Sequence, residues 1–268
     1  MPYSAVVINI HSFHERKLME YTYHCLFEQS GTFRDRLRAY GFEAADYDIC
    51  DDFGKTDNVV DLFKVIDEAF DKGVSPFGFG PDDFVFAFYP CTRFSTMFKM
   101  CLLGNNSAYL KKGAKGTQTL LRSIKLHGEL HDFYVRLCKL CFMALKYGFP
   151  LVVENPAHDN YLRHYFPFDP ALVIENRRDM GDYFVKPTMF FFFNCEPKYN
   201  FIFEPGFRFP QKRVDRECGI TRSLISPYFV DRFLREYIFE PALALKSVNV
   251  SIEEMQKFVE VKQDVKAL

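Results

Sequence analysis

Residues 21–49 read YTYHCLFEQSGTFRDRLRAYGFEAADYDI, and the change of hydrophobic rhythm inside this stretch decides the fold. Tyr21 to Phe27 reads as a strand, Glu28-Gln29-Ser30-Gly31 as a turn, and Thr32 to Tyr40 as a short helix with Thr32 as its N-cap and Gly41 just past its end. Phe42 to Ile49 is a second strand, ending in Asp46-Tyr47-Asp48. A strand, a tight turn, a helix and another strand form a crossover unit, whose two strands lie parallel in one sheet.

The alternation continues along the chain. Val59 to Lys72 reads as a helix, Phe84 to Tyr89 as a buried strand stopped by Pro90, and Gln118 to Tyr147 as a long helical region interrupted near Gly128. Pro150 to Val153, Ala171 to Glu175 and Thr188 to Asn194 read as strands, and Pro227 to Lys246 and Ser251 to Lys262 as closing helices. The run Phe190 to Phe193 must point side chains to both faces of a sheet, so it reads as buried strand rather than a base-stacking platform. The pattern predicts an α/β fold with Rossmann-like layering and a mostly parallel central sheet. Residues 1–195 are expected to form the main domain, with 196–268 a reduced region of basic loop and helices packing on it.

With 268 residues, 48% hydrophobic, and 34 Lys plus Arg against 35 Asp plus Glu, the chain is neither disordered nor collagen-like nor a polybasic tail. Its length suffices for one enzyme-sized core. No stretch approaches the ~20 apolar residues of a membrane span, and MPYSAVVINIHSFHERK lacks the basic-then-apolar order of a secretory signal, so a soluble, cytoplasmic protein is expected. The eight cysteines then read as reduced thiols. The C-x-x-C of Cys138 and Cys141 lies in a segment of helical spacing with no second pair of zinc-ligand spacing after it, which reads as core. The seven histidines show no ligand spacing, so no metal is expected.

Charge is unevenly distributed. From Glu43 to Asp71 ten acidic residues face only Lys55 and Lys64, whereas Phe84 to Gly128 holds Arg93, Lys99, Lys111, Lys112, Lys115, Arg122 and Lys125 with no acidic residue. A second basic stretch carries Arg208, Lys212, Arg213, Arg216 and Arg222. Dense local groups of Lys and Arg fit either a solvated face or contact with a polyanion.

Ligands of open parallel α/β sheets bind outside the carboxyl ends of the strands, so strand-terminal polar residues carry the functional information. Four such ends stand out: Glu28 to Gly31, Asp48, Tyr89-Pro90-Cys91-Thr92 and Glu154-Asn155-Pro156. In order and spacing the set resembles the DNA cytosine-5 methyltransferase superfamily, in particular its short, divergent members from phages and bacterial mobile elements. The resemblance covers roughly Tyr23 to Asn194, with a further similarity from Arg222 to Pro227.

The resemblance implies a methyltransferase fold with S-adenosyl-L-methionine as cofactor and DNA as partner. It places Phe27, Glu28, Ser30 and Gly31 at the methionine end of that cofactor, Asp48 with Ile49 at the adenosine ribose, and Asp61 with Leu62 near the adenine; Tyr89 and Pro90 border the same site. It makes Cys91 of Pro90-Cys91 the nucleophile and Glu154 of Glu154-Asn155 the base-binding carboxyl. Thr92, Arg93, Asn155 and Pro156 would meet the substrate. The family's Gln-x-Arg-x-Arg segment is not evident, and Lys186 of Lys186-Pro187-Thr188 stands in for the arginine that supports the pyrimidine carbonyl. Of the family's aromatic-x-Gly-x-Gly turn only the final glycine, Gly31, is kept, and no full target-recognition domain follows Asn194.

The chemistry accounts for these residue types. A thiolate adding to carbon 6 of cytosine makes carbon 5 enamine-like, and a buried carboxyl at ring nitrogen N3 stabilises the adduct. The base must leave its helix for this. Two other functions fit the same sequence: a methyltransferase-fold protein that only binds nucleic acid, and another pyrimidine modification through the same Cys91 adduct. An adenine-N6 methyltransferase fits less well, since that chemistry needs no thiol.

Overall fold

The computed structural model describes residues 21–95, 114–158, 160–202 and 224–246. The strands are β1 (Thr22–Leu26), β2 (Ala44–Asp48), β3 (Asn58–Val59), β4 (Asp83–Ala87), β5 (Leu151–Pro156), β6 (Leu172–Ile174) and β7 (Thr188–Phe193). The helices are α1 (Thr32–Ala39), α2 (Leu62–Lys72), α3 (Ala114–Tyr147), α4 (Tyr161–Tyr165), α5 (Pro227–Phe233) and α6 (Pro241–Ala244), with a π-helical turn at Leu234–Ile238 and 3-10 turns at Pro76–Gly78 and Arg177–Met180.

All seven strands form one sheet in the order β3-β2-β1-β4-β5-β7-β6. Neighbours from β3 to β5 are parallel; β7 is antiparallel to both β5 and β6, pairing Glu154 with Phe190 and Pro156 with Thr188. The fold is therefore α/β with a mostly parallel, Rossmann-like sheet. It departs from the dinucleotide-binding order 3-2-1-4-5-6 by one reversed strand inserted between the fifth and the sixth.

Period-two alternation divides the core. Val85, Ala87, Leu151 and Val153 face Leu62 and Ile66 of α2 and Leu137, Leu140 and Met143 of α3. Tyr23, Cys25, Phe86, Val152 and Phe190 face Phe33 and Leu37 of α1 and Phe229, Val230 and Phe233 of α5. Both faces are covered, which explains the near-continuous apolar strands. Phe190 to Phe193 lie in a strand between two neighbours, with Phe191 and Phe193 on one face and Phe190 and Phe192 on the other. Helix α5, from the C-terminal region, packs on the same sheet as the rest. Among the described residues, no helix is long and apolar enough to cross a membrane.

Three local expectations are corrected. Thr32 is not the N-cap of α1: Gly31 holds that position, and the helix N–H groups of Phe33 and Arg34 are met by the Glu28 carboxylate. The closing helix from Pro227 does not run to Lys246. Pro241 lacks the N–H that would continue it and pushes Glu240 to extended geometry (ψ 153°), so the chain leaves the helix at Phe239 and restarts as α6. Helix α3 is not interrupted at Gly128, because Leu126 before it and Leu130 after it pack on the same core. The short β3 and α4 carry too few residues to show a period, and the helix expected at Ser251 to Lys262 lies outside the described residues.

A methyl group at Gly128 would meet nothing within 4 Å. Gly128→Ala is therefore expected to stabilise the protein by about 0.5–1 kcal/mol through the lower entropy of the unfolded chain, raising the midpoint of thermal unfolding. A lower midpoint would contradict a continuous, open helix at that position.

Candidate functional site

The carboxyl ends of β1, β2, β4 and β5 line one edge of the sheet, and the antiparallel β7 begins there. The sequence-predicted residues therefore gather along a single edge. After β1 the chain enters Phe27 with φ 60°, a left-handed conformation costly for a bulky side chain. It is held there by Phe27 N donating to Tyr47 O (2.8 Å) and by ring contacts with Phe63 and Tyr89.

The next residue, Glu28, is buried and folds back onto the start of α1. Its carboxylate accepts Phe33 N at 2.7 Å, Arg34 N at 3.4 Å and the Ser30 hydroxyl at 3.4 Å. The positive end of α1 is thus occupied by a side chain of the protein itself, and a ligand's phosphate has no claim on it. Gly31 has φ 67°, and a Cβ there would collide with the Arg34 guanidinium. That guanidinium is in turn held by Asp46 (2.8 Å), Asp57 (3.2 Å) and the Lys55 carbonyl (2.5 Å), which locks the turn to the end of β2.

Asp46, fully buried, is the structural acid of β2. Asp48, the strand's last residue, stands at the edge: its Oδ1 accepts Cys50 N at 2.8 Å, and burial raises its pKa above the ordinary 3.8. Beside it Ile49 is largely exposed, an apolar surface at a polar edge. Asp61 caps α2 by accepting the N–H groups of Phe63 and Lys64, while Leu62 is buried in the core beneath.

At the end of β4, Tyr89 is buried and its hydroxyl donates to the Phe133 carbonyl on α3 (2.7 Å). Pro90 and Cys91 follow, half-buried, and Cys91 forms no disulfide. The Cys91 carbonyl accepts the N–H groups of Phe94 and Ser95 at 3.0 Å, so the thiol begins a tight helical turn. Thr92 on this turn is exposed, and Arg93 pairs with Glu129 of α3 at 2.7 Å. The turn is pinned at Phe94, which stacks on Tyr89 and Tyr161.

Beside it, at the end of β5, Asn155 is fully buried and donates through Nδ2 to the Tyr89 carbonyl at 3.0 Å. One side chain thus ties the Tyr89-Pro90-Cys91 turn to Glu154-Asn155. Glu154 itself is only 8% exposed, and its Oε1 is buried with no hydrogen-bond partner. Lys186 and Pro187 arrive at the same edge, where Ala157 N donates to the Pro187 carbonyl (2.9 Å) just beyond the Pro156–Thr188 pair.

One member of this edge escaped the sequence reading. Arg177, in the 3-10 turn after β6, is almost fully buried. Its Nη2 lies 2.5 Å from Asp182, its Nη1 3.7 Å from Glu154 Oε1, and its guanidinium 4.5 Å over the Phe229 ring. Asp182 is fixed by the N–H groups of Tyr183 and Ser226. The only local signal was the nearness of Arg177 to Asp182 in sequence; Glu154 reaches them through the sheet.

No protein-family model matches the chain, and no curated protein is detectably similar to it.

Burial pushes the Glu28 carboxyl from its ordinary 4.5 up to about 7, against the N–H groups of Phe33 and Arg34 that hold its charged form. A carboxyl with a higher pKa folded than unfolded stabilises the fold fully below pH 4.5 and loses that contribution as pH rises through about 7. Glu28→Gln has no charge to lose. Between pH 4.5 and pH 8 its unfolding free energy is expected to improve relative to the native chain, by up to roughly 3 kcal/mol. Denaturant titrations at the two pH values test this, and parallel behaviour of both proteins would contradict it.

Proposed function

We propose that the chain is a cytosine-5 methyltransferase acting on DNA, with Cys91 as nucleophile and Glu154 as the carboxyl that holds the base. The observation that carries this reading is the pair of neighbours at the sheet edge: a half-buried thiol on a pinned turn, tied through Asn155 to a buried carboxylate whose Oε1 lacks a hydrogen-bond partner. Buried polar atoms are almost always hydrogen-bonded in a complete site, so an orphaned carboxylate oxygen at a ligand edge supports an absent donor such as a ring N–H or amino group. On this reading the Rossmann-like sheet is a methyltransferase fold.

The residues of the first half-site fit S-adenosyl-L-methionine better than a dinucleotide. Because Glu28 already satisfies the start of α1, a pyrophosphate would meet a carboxylate there, whereas a cationic, phosphate-free ligand would not be repelled. Asp48 suits the two hydroxyls of a ribose, and exposed Ile49 suits the face of a purine. When bound, the cofactor supplies an electrophilic methyl group.

Cys91, as thiolate, adds to carbon 6 of an extruded cytosine and forms the sulfur–carbon bond while the electron pair of the 5,6 double bond moves toward carbon 5. Glu154, as the carboxylic acid, gives its proton to N3 and so neutralises the charge displaced into the ring, while its other oxygen accepts from the exocyclic amino group. Arg177, held by Asp182, stands 3.7 Å from Glu154 Oε1, close enough to attract its charge and too far to take its place as a hydrogen-bond partner. Lys186 supports the pyrimidine carbonyl. Once carbon 5 bears the methyl group, its proton passes to water, the freed electron pair restores the 5,6 double bond, the Cys91 thiolate leaves, and N3 returns its proton to Glu154.

Transfer of a labelled methyl group from S-adenosylmethionine to duplex DNA tests the reading. Label is expected in 5-methylcytosine with the native chain and reduced at least about a thousandfold with Cys91→Ala. Equal transfer by the variant would refute the nucleophile. DNA binding without any transfer by the folded native chain would favour a protein that keeps the fold and binds nucleic acid only.

A further inference from the structure

Helix α3 is longer than the layer it belongs to. Its 34 residues span about 50 Å at ~1.5 Å per residue, whereas β4 and β5, which it connects, are strands of five and six residues, about 17–20 Å long. Because β4 ends at the carboxyl edge and β5 starts at the opposite one, α3 runs antiparallel to them, with its N-terminal half at the edge that carries Cys91 and Glu154. Buried positions begin at Leu130 and continue through the fully buried Leu137, Leu140 and Ala144. Before that point Leu120, Leu121 and Ile124 are 61%, 62% and 69% exposed. The first half of α3 therefore projects past the sheet on the side of the candidate site.

Two features show what this projection suits. Its charge is of one sign: no acidic residue occurs between Phe84 and Gly128, exposed Arg122 and Lys125 lie on the projection, and the first acid, Glu129, is engaged by Arg93 at 2.7 Å and by Lys125 at 3.8 Å. The Arg93–Glu129 pair also joins the base of the projection to the turn that begins at Cys91. A cationic helix with exposed Leu and Ile matches a nucleic acid, whose backbone takes Lys and Arg and whose opened base steps take apolar wedges.

We propose that residues 117–129 form a docking arm for duplex DNA, in which Arg122 and Lys125 meet backbone phosphates while Leu121 and Ile124 press against the duplex beside the extruded base. The arm's contacts, being largely to the backbone, give weak sequence preference. This rests on the proposed nucleic-acid substrate of the Cys91 site.

Anisotropy of a fluorescein-labelled 24-base-pair duplex, titrated with the full chain over a series of salt concentrations, tests the arm. Arg122→Glu with Lys125→Glu is expected to weaken binding at least tenfold near 0.1 M salt and to lower the slope of log affinity against log salt by about 2. Both positions are exposed, so an unchanged unfolding midpoint is expected and checks the fold. Unchanged affinity and slope would overturn the proposal, as would a native chain that binds no duplex. It would also fall if Leu121→Ala with Ile124→Ala split a dimer while leaving DNA affinity intact, because the face would then join two copies of the chain. Loss of binding with the arm charges, in a native chain that transfers no methyl group, would uphold the arm and remove the methylation reading.

Discussion

The candidate site depends on the side chain of Asn155. It is fully buried, gives its amide N–H to the Tyr89 carbonyl at 3.0 Å, and accepts Asn160 Nδ2 at 2.7 Å. Beyond the last ladder bond of β4 and β5 the two chains separate, and this carboxamide replaces the missing rung. It sets where the Pro90-Cys91 turn begins relative to Glu154, and through Asn160 it sets the start of α4, whose Tyr161 stacks on Phe94. A buried amide with its donor and acceptor both used is rigid, because every alternative orientation leaves a polar group unpaired in a dry environment.

Around that fixed point the edge is organised by buried charges, each held by a specific partner. Glu28 belongs to the start of α1, Asp46 to Arg34, and Asp182 to Arg177. Removing one partner of such pairs is far costlier than removing an exposed charge, since the other is left uncompensated away from water. Glu154 differs from them. Its nearest cation stands at 3.7 Å and its Oε1 has no hydrogen bond. Its arginine stands beyond hydrogen-bond distance, whereas those of Asp46 and Asp182 lie at 2.8 and 2.5 Å.

Much of this was legible in the sequence, and the reasons for the rest are physical. The change of rhythm from Tyr21 to Ile49 located β1, α1 and β2 to within two residues at most ends, because strand and helix periods differ and Gly31 and Gly41 mark the breaks. The strand ends at Asp48, Tyr89 and Glu154-Asn155 do line one edge, as a parallel sheet requires. What could not be read were effects of tertiary contact. The capping of α1 by Glu28 needs the left-handed turn at Phe27, the continuity of α3 through Gly128 needs the packing of Leu126 and Leu130, and the Arg177–Glu154 approach needs β7 reversed between β5 and β6. Asp61 also caps α2, its Oδ1 accepting the N–H groups of Phe63 and Lys64, a role that the sequence reading did not assign to it.

The proposed chemistry stands on one covalent event, the bond between the Cys91 sulfur and carbon 6 of the pyrimidine. A duplex containing 5-fluorocytosine would block release, because fluorine at carbon 5 cannot leave as the proton does. Incubated with this duplex and S-adenosylmethionine, the native chain should form a complex stable to denaturant, and peptide mass spectrometry should find the nucleotide on Cys91. An adduct on another residue, or none with a folded chain that binds the duplex, would contradict the account.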